Sequence, residues 1–175
     1  MEEDISIKDT SQYLTFTMGE ESFAIEISNV REVTDYTEIT AVPRMPPWLK
    51  GVINLRGNVV SVIDLRLKLG MAPSERTVDT CIVIMEVRMD GDIMPVGIVA
   101  DSVQEVIHLL PNQISPAPKV GTGLNTDYIK GVGKRRDDFI IILNIDKIVS
   151  ETENSPAYRE NSTPLPDGES ADEAD

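Results

Sequence analysis

Enzymatic chemistry needs a nucleophile beside a base, paired carboxylates, a metal cage or a phosphate cradle. The 175 residues of this chain hold one cysteine, Cys81, and one histidine, His108. That excludes an intramolecular disulfide, a Cys-based zinc site and any centre built on two imidazoles. Cys81 opens the apolar run Cys81-Ile82-Val83-Ile84-Met85, where a thiol keeps a high pKa and packs as a small hydrophobe. His108 lies between Val106-Ile107 and Leu109-Leu110-Pro111 and reads as a strand-end or surface residue. Gly121-Thr122-Gly123 meets Thr126 where a dinucleotide fingerprint needs its third glycine, and Gly133-Lys134 has Tyr128 where a P-loop needs its first. Asp90-Gly91-Asp92 lacks the Glu that closes a calcium loop. Lys134-Arg135-Arg136 runs straight into Asp137-Asp138, the pattern of a charged hairpin turn. No catalytic residue, cofactor site or metal site is expected.

One arginine is left without a structural reason. Asn54-Leu55-Arg56-Gly57 interrupts an apolar stretch between Gly51-Val52-Ile53 and Val59-Val60. Gly57-Asn58 explains a tight reversal of the chain, because glycine accepts positive φ. Arg56 itself fits two readings equally: a solvated charge, or a guanidinium at a loop mouth that binds a partner's carbonyls or carboxylate.

The elements that position these residues are strands. Leu14, Phe16 and Met18 alternate, as do Phe23, Ile25 and Ile27 after a turn at Gly19-Glu20. Val59–Ile63 is β-branched, and Cys81–Met85 and Phe139–Leu143 are apolar on both faces, as central strands are. Asp90-Gly91 predicts a hairpin turn. The one segment with helical spacing is Asp64–Leu69, capped by Asp64 and ended by Gly70. The chain also repeats itself. Trp48-Leu49-Lys50-Gly51-Val52 returns 80 positions on as Tyr128-Ile129-Lys130-Gly131-Val132, and Arg56 returns as Arg136. Ala24-Ile25 and Val30-Arg31-Glu32-Val33 return 73 positions on as Gly97-Ile98 and Val103-Gln104-Glu105-Val106. A duplicated β unit of about 70 residues follows, marginal alone and needing an apolar seam with its copy.

The formal net charge of −14 argues against nucleic acid, which selects basic faces, and against a polybasic membrane anchor. Half of it, −7, lies in residues 151–175, a Pro-containing acidic tail expected to be disordered. Residues 1–12 are expected to be flexible, with the domain at 13–150 split into β subdomains at about 13–78 and 79–150. The longest unbroken apolar run is about five residues, far short of the ~20 a membrane helix needs. The acidic, polar N-terminus is no signal peptide, so the expected setting is a reducing compartment, the cytosol.

Four stretches in order resemble the CheW family of chemotaxis coupling proteins: Phe16-Thr17 through Val30-Arg31-Glu32-Val33; Pro47-Trp48-Leu49-Lys50-Gly51-Val52-Ile53-Asn54-Leu55-Arg56-Gly57 with Val60 through Asp64-Leu65-Arg66; Val96 through Val106; and Leu124 through Gly131 with the closing Ile140–Ile145 strand. The resemblance implies a mainly β fold of two SH3-like five-stranded barrel subdomains with a few helical turns. It implies a non-catalytic adaptor between the cytoplasmic tip of chemoreceptors and the histidine kinase CheA, whose regulatory domain shares the fold. It implies no cofactor, a monomer when alone, and membership of a receptor array at the inner face of the membrane without insertion into it. The family's receptor contact maps here onto Val30, Glu32, Gly51, Asn54, Leu55, Arg56 and Gly57. Positions linked to coupling map onto Val103 and Val106, and kinase contact onto Ile98, Val99 and the 101–106 segment, Asp101 included. Two readings stand beside it: the same scaffold in a non-flagellar, kinase-linked pathway such as surface motility, and, remotely, a small β-barrel enzyme assembled from Asp64, Asp101 or His108.

Overall fold

In a computed structural model, the described residues are 11–89, 91–117 and 126–153. Eleven strands and two short helices follow in the order β1 (Ser11–Met18), β2 (Glu21–Glu26), β3 (Val30–Asp35), β4 (Leu49–Leu55), β5 (Asn58–Ile63), α1 (Leu65–Lys68), β6 (Cys81–Met89), β7 (Asp92–Ala100), β8 (Ser102–Leu109), β9 (Ile114–Ser115), β10 (Ile129–Arg135), β11 (Asp138–Leu143) and α2 (Ile145–Glu153). They form a six-stranded sheet, β8-β1-β2-β11-β10-β9, and a five-stranded sheet, β3-β6-β7-β5-β4. The mainly β architecture with two SH3-like subdomains is present.

Side-chain alternation explains how each sheet is buried on two sides. In β6, Ile82 and Ile84 pack with Ile53, Val60 and Val62 inside the five-stranded unit. The intervening Val83, Met85 and Val87 face the other way, into a cluster shared with Leu14, Phe16, Met18, Phe23, Ile25, Leu143 and Ile148 of the six-stranded unit. A third cluster, Tyr13, Ala24, Ile107, Leu109, Ile140 and Ile142, fills the six-stranded unit itself. The apolar seam is therefore the largest of the three cores. Burying a large side chain such as Phe16 or Met85 contributes about 1.5–3 kcal/mol, so the seam joins the units firmly.

The internal repeat is visible in the hydrogen-bond register. β4–β5 and β10–β11 carry the same irregularity at equivalent places, between Leu49 and Gly51 and between Ile129 and Gly131. The parallel pair Val62↔Gly97 recurs as Ile142↔Ala24, at the offsets of 80 and 73 seen in the sequence.

That register corrects the expected boundary near residue 78. β1 and β2 pair with β8 and β11, so the N-terminal hairpin belongs to the unit built from the C-terminal half. One unit is residues 30–100; the other is 11–26 together with 102–153. The reason is the order of the repeat: the hairpin that follows α1 in one unit is β6–β7, and in the other its place is filled by β1–β2 from the opposite end of the chain.

The helix reading also shifts. The α1 helix is as expected, with Asp64 Oδ1 accepting from the Leu67 N–H at 3.1 Å and Gly70 at φ 74°. The closing strand ends at Leu143, however, and Ile145 starts α2, capped by Asn144 Oδ1 on the Lys147 N–H at 3.1 Å. Asn144 is the repeat partner of Asp64, the signal that marks this second helix. Residues 11–12 and 151–153 accordingly belong to β1 and α2, while residues 1–10 and the tail from 154 lie outside the described residues, as do Asp90 and the Gly121–Gly123 motif.

Candidate functional site

The Arg56 turn is built to be rigid. Leu55 pairs with Asn58 across a two-residue loop in which Arg56 has φ 51° and Gly57 φ 89°, the two positive values of a type I′ turn. Asn54 Oδ1 accepts the Gly57 N–H at 2.8 Å and braces the loop. Across the mouth, Glu32 of β3 accepts a hydrogen bond and ion pair from the Arg56 guanidinium, which holds that guanidinium above its ordinary pKa. The two charges that the sequence placed 24 residues apart thus meet on one exposed ledge.

A depression of about 410 Å³ lies against this turn, lined by Leu55, Arg56, Asn58, Val59, Val60, Arg31 and Pro95. Val59 beside it is 74% exposed, and Ile93 and Met94 are exposed next to Pro95 in β7. Sequence reasoning missed Arg31, Asn58, Val59 and Pro95; a β-branched residue directly after the Gly57-Asn58 turn was the available signal. At the rim, Arg31 forms an exposed ion pair with Glu86 at 3.8 Å.

The other expected residues divide into surface and interior. Val30 begins β3 and is half-buried against the shared core, and so is Val103 of β8. Those two are repeat partners, so residues assigned to two different roles border one seam. Val106 is 43% exposed on β8, and Val99 is half-buried against the five-stranded unit's core. Gly51 is buried: at φ 151°, a Cβ there would sit 2.2 Å from the Thr40 carbonyl oxygen, so this residue lets the chain pass close under the ledge. Ile98 is 1% exposed inside the shared core. A kinase contact through its side chain is corrected: the strand is central, and Val96, Ile98 and Ala100 face the seam. Asp101 is tied up as well, since its Oδ2 accepts from Arg66 at 2.5 Å and from the Gly19 N–H at 2.7 Å.

The remote catalytic trio does not converge into a site. Asp64 is committed to capping α1, and Asp101 to Arg66. Both border a pocket of about 250 Å³, but His108 is an exposed residue of β8 opposite Gln12, outside that lining. Cys81 is half-buried at the start of β6. Burial pushes its thiol pKa up, Asp35 and Asp79 push the same way, and a backbone hydrogen bond at Val103 opposes them. Such a thiol is a poor nucleophile. Among the described residues, no three His, Cys, Asp or Glu side chains are placed to hold a metal ion. No helix of these residues is long and apolar enough to cross a membrane.

Two small barrels fused through an apolar seam, with a braced charged turn on one of them, define a docking module. The family model described as the CheW-like domain matches residues 12–153. The Chemotaxis protein CheW of Klebsiella aerogenes is 34% identical over 142 residues, covering 81% of this chain and 83% of that protein. The Chemotaxis protein CheW of Helicobacter pylori is 34% identical over 140 residues, covering 80% and 82%. Among solved structures, the scaffolding protein TtCheW from Thermoanaerobacter tengcongensis aligns with a TM-score of 0.72 at 33% identity, over 79% of this chain and 87% of that one. The chain belongs to the CheW-like family, and it is a non-catalytic chemotaxis scaffold.

Proposed function

We propose that this protein couples the cytoplasmic tip of chemoreceptors to the histidine kinase CheA, at receptor arrays on the inner face of the membrane. The observation that carries the reading is the Arg56 turn: a guanidinium on a rigid loop, tied to Glu32, beside a depression whose lining is mainly polar but includes Leu55 and exposed Val59. A helical receptor hairpin is a suitable occupant, with apolar residues against Val30, Leu55 and Val59 and a polar anchor on the Glu32–Arg56 ledge. The exposed face of β8 around Val106 is where the kinase's homologous barrel would dock. Signal would pass as a coupling free energy between receptor state and kinase activity, and array avidity would reinforce modest single contacts.

The test is co-sedimentation of the cognate CheA kinase with receptor-bearing membranes. Kinase pellets when the protein is added, and Arg56→His removes that recruitment while leaving the melting curve cooperative. Recruitment indifferent to the protein defeats the reading.

A further inference from the structure

The seam between the barrels is apolar, and apolar burial is non-directional: it holds two surfaces together without fixing their angle. Directional contacts have to do that. The chain crosses between the units twice, at Asp101 between β7 and β8 and at Ile27–Asn29 between β2 and β3. Among the described residues, the first crossing carries a charge pair on the crossing residue itself, whereas beside the second Glu26 pairs with Lys130 inside its own six-stranded unit.

At that crossing Asp101 Oδ2 accepts from Arg66 of α1 at 2.5 Å and from the Gly19 N–H of the β1–β2 turn at 2.7 Å. The Asp101 N–H donates to the Thr17 carbonyl at 2.9 Å, and the Thr17 and Ser102 hydroxyls meet at 2.9 Å. Arg66 also donates to the Ala72 carbonyl at 2.9 Å. One carboxylate thus joins a helix of the five-stranded unit to a hairpin of the six-stranded unit. Side-chain exposures of 15% for Arg66 and 31% for Asp101 limit screening of the pair by salt.

The repeat supplies the comparison. At the other crossing Ser28 stands in the place of Asp101, and Asp146 in the place of Arg66. What joins the elements there is an Asn29 side-chain amide on the Glu86 carbonyl at 3.2 Å and a long 3.4 Å contact from the Arg88 N–H to Asp146. Seam packing is served on both sides; the ionic fastening is specific to one.

We propose that Asp101 and Arg66 are positioning residues that set the angle between the two barrels, so that a receptor on one unit and a kinase on the other are held in a fixed relation. The second half of this statement rests on the proposed coupling function; the first does not.

The experiment reads the angle directly. In a Cys81→Ala background, spin labels are placed through Val59→Cys and Phe139→Cys, exposed repeat partners on β5 and β11, one on each unit. Electron–electron distance measurement on the parent gives one narrow distribution. Arg66→Gln and Asp101→Asn, introduced separately, broaden it while the melt stays cooperative, and Arg66→Lys restores a narrow distribution. In unlabelled protein, Arg66→Gln still binds the isolated receptor fragment and the kinase regulatory domain, but kinase recruitment to receptor membranes falls about tenfold. A distribution that stays narrow in both variants overturns the latch. So does loss of cooperative melting in both, which makes the pair a folding requirement. Broadening with unchanged recruitment overturns its link to coupling. If the parent recruits no kinase, the proposed function fails while the distance widths still decide the latch.

Discussion

The two barrels are copies that have been finished differently at the same corner. In the five-stranded unit the β4–β5 turn is Arg56-Gly57, both at positive φ, braced by Asn54 and tied to Glu32. In the six-stranded unit the β10–β11 turn is Arg136-Asp137, where only Arg136 takes positive φ, at 55°. Lys134 replaces Asn54, and the glutamate equivalent to Glu32, Glu105, pairs instead with Arg135 at 2.6 Å. Exposed Val59 corresponds in the repeat to Phe139, itself 64% exposed. The same backbone scaffold therefore offers a left-handed arginine on each side, fastened to a glutamate in the five-stranded unit and followed there by a glycine that takes the second positive φ at no cost. A turn kept braced in one copy and allowed to drift in the other is what a docking site on the first unit requires.

The largest test of the comparison asks whether the copies are separable at all. Phe16→Ala empties the centre of the shared core and is expected to cost about 3–5 kcal/mol, with hydrogen exchange accelerating in both sheets together. Acceleration confined to the six-stranded sheet would show two independent units.

Next come the paired glycines. Gly51→Ala drives a methyl group into the Thr40 carbonyl from a backbone at φ 151°, whereas Gly131→Ala meets Ile114 Cγ2 at 2.7 Å and the Ser115 carbonyl oxygen at 2.8 Å. Both destabilise, Gly51→Ala by about 3 kcal/mol and Gly131→Ala by less, because β9 is a two-residue edge strand that can yield. Urea midpoints rank them, and equal losses would mean that the edge is as firm as the Thr40 backbone, which is bridged to Val52.

The turns themselves are expected to respond with opposite balance. Arg136→Gly relieves a left-handed residue and raises stability by about 1 kcal/mol. Arg56→Gly gains less, since it also gives up the Glu32 ion pair, but it alone should abolish receptor binding. Thermal melts and receptor pull-downs of the two variants separate these effects, and receptor binding lost equally in both would erase the distinction between the copies.

The smallest effect belongs to Cys81. Its folded-state pKa is raised by burial and nearby carboxylates, so the neutral thiol favours the folded state. That contribution is complete below the unfolded thiol value of about 8.5 and is lost as pH rises through the raised folded value. Stability of the parent should therefore fall more steeply than stability of Cys81→Ala as pH rises from about 8.5 through the raised folded value. Parallel curves would mean an unperturbed thiol.

Periodicity alone determined a good deal. Alternation in Leu14–Met18, the two-faced apolar runs at 81–85 and 139–143, the Asp64 cap and the 80-residue repeat all report local geometry, because strand and helix periods are written into neighbouring residues. The charged ledge was half legible: Arg56 stood out as an arginine that no turn required, and Glu32 and Gly51 entered through resemblance. Only the tertiary structure decided which of these residues is interior and which is surface. Ile98 is buried because its strand faces a core shared with residues far away in sequence, Gly51 because the Ile39–Thr40 segment lies over it, and Val59, directly after the turn, is exposed. Only the tertiary structure, too, assigned β1–β2 to the distant unit, brought Glu32 to Arg56, and placed Asp101 between Arg66 and Gly19. Each of these depends on non-local pairing, and a linear pattern carries the period of a strand but not the identity of its neighbour.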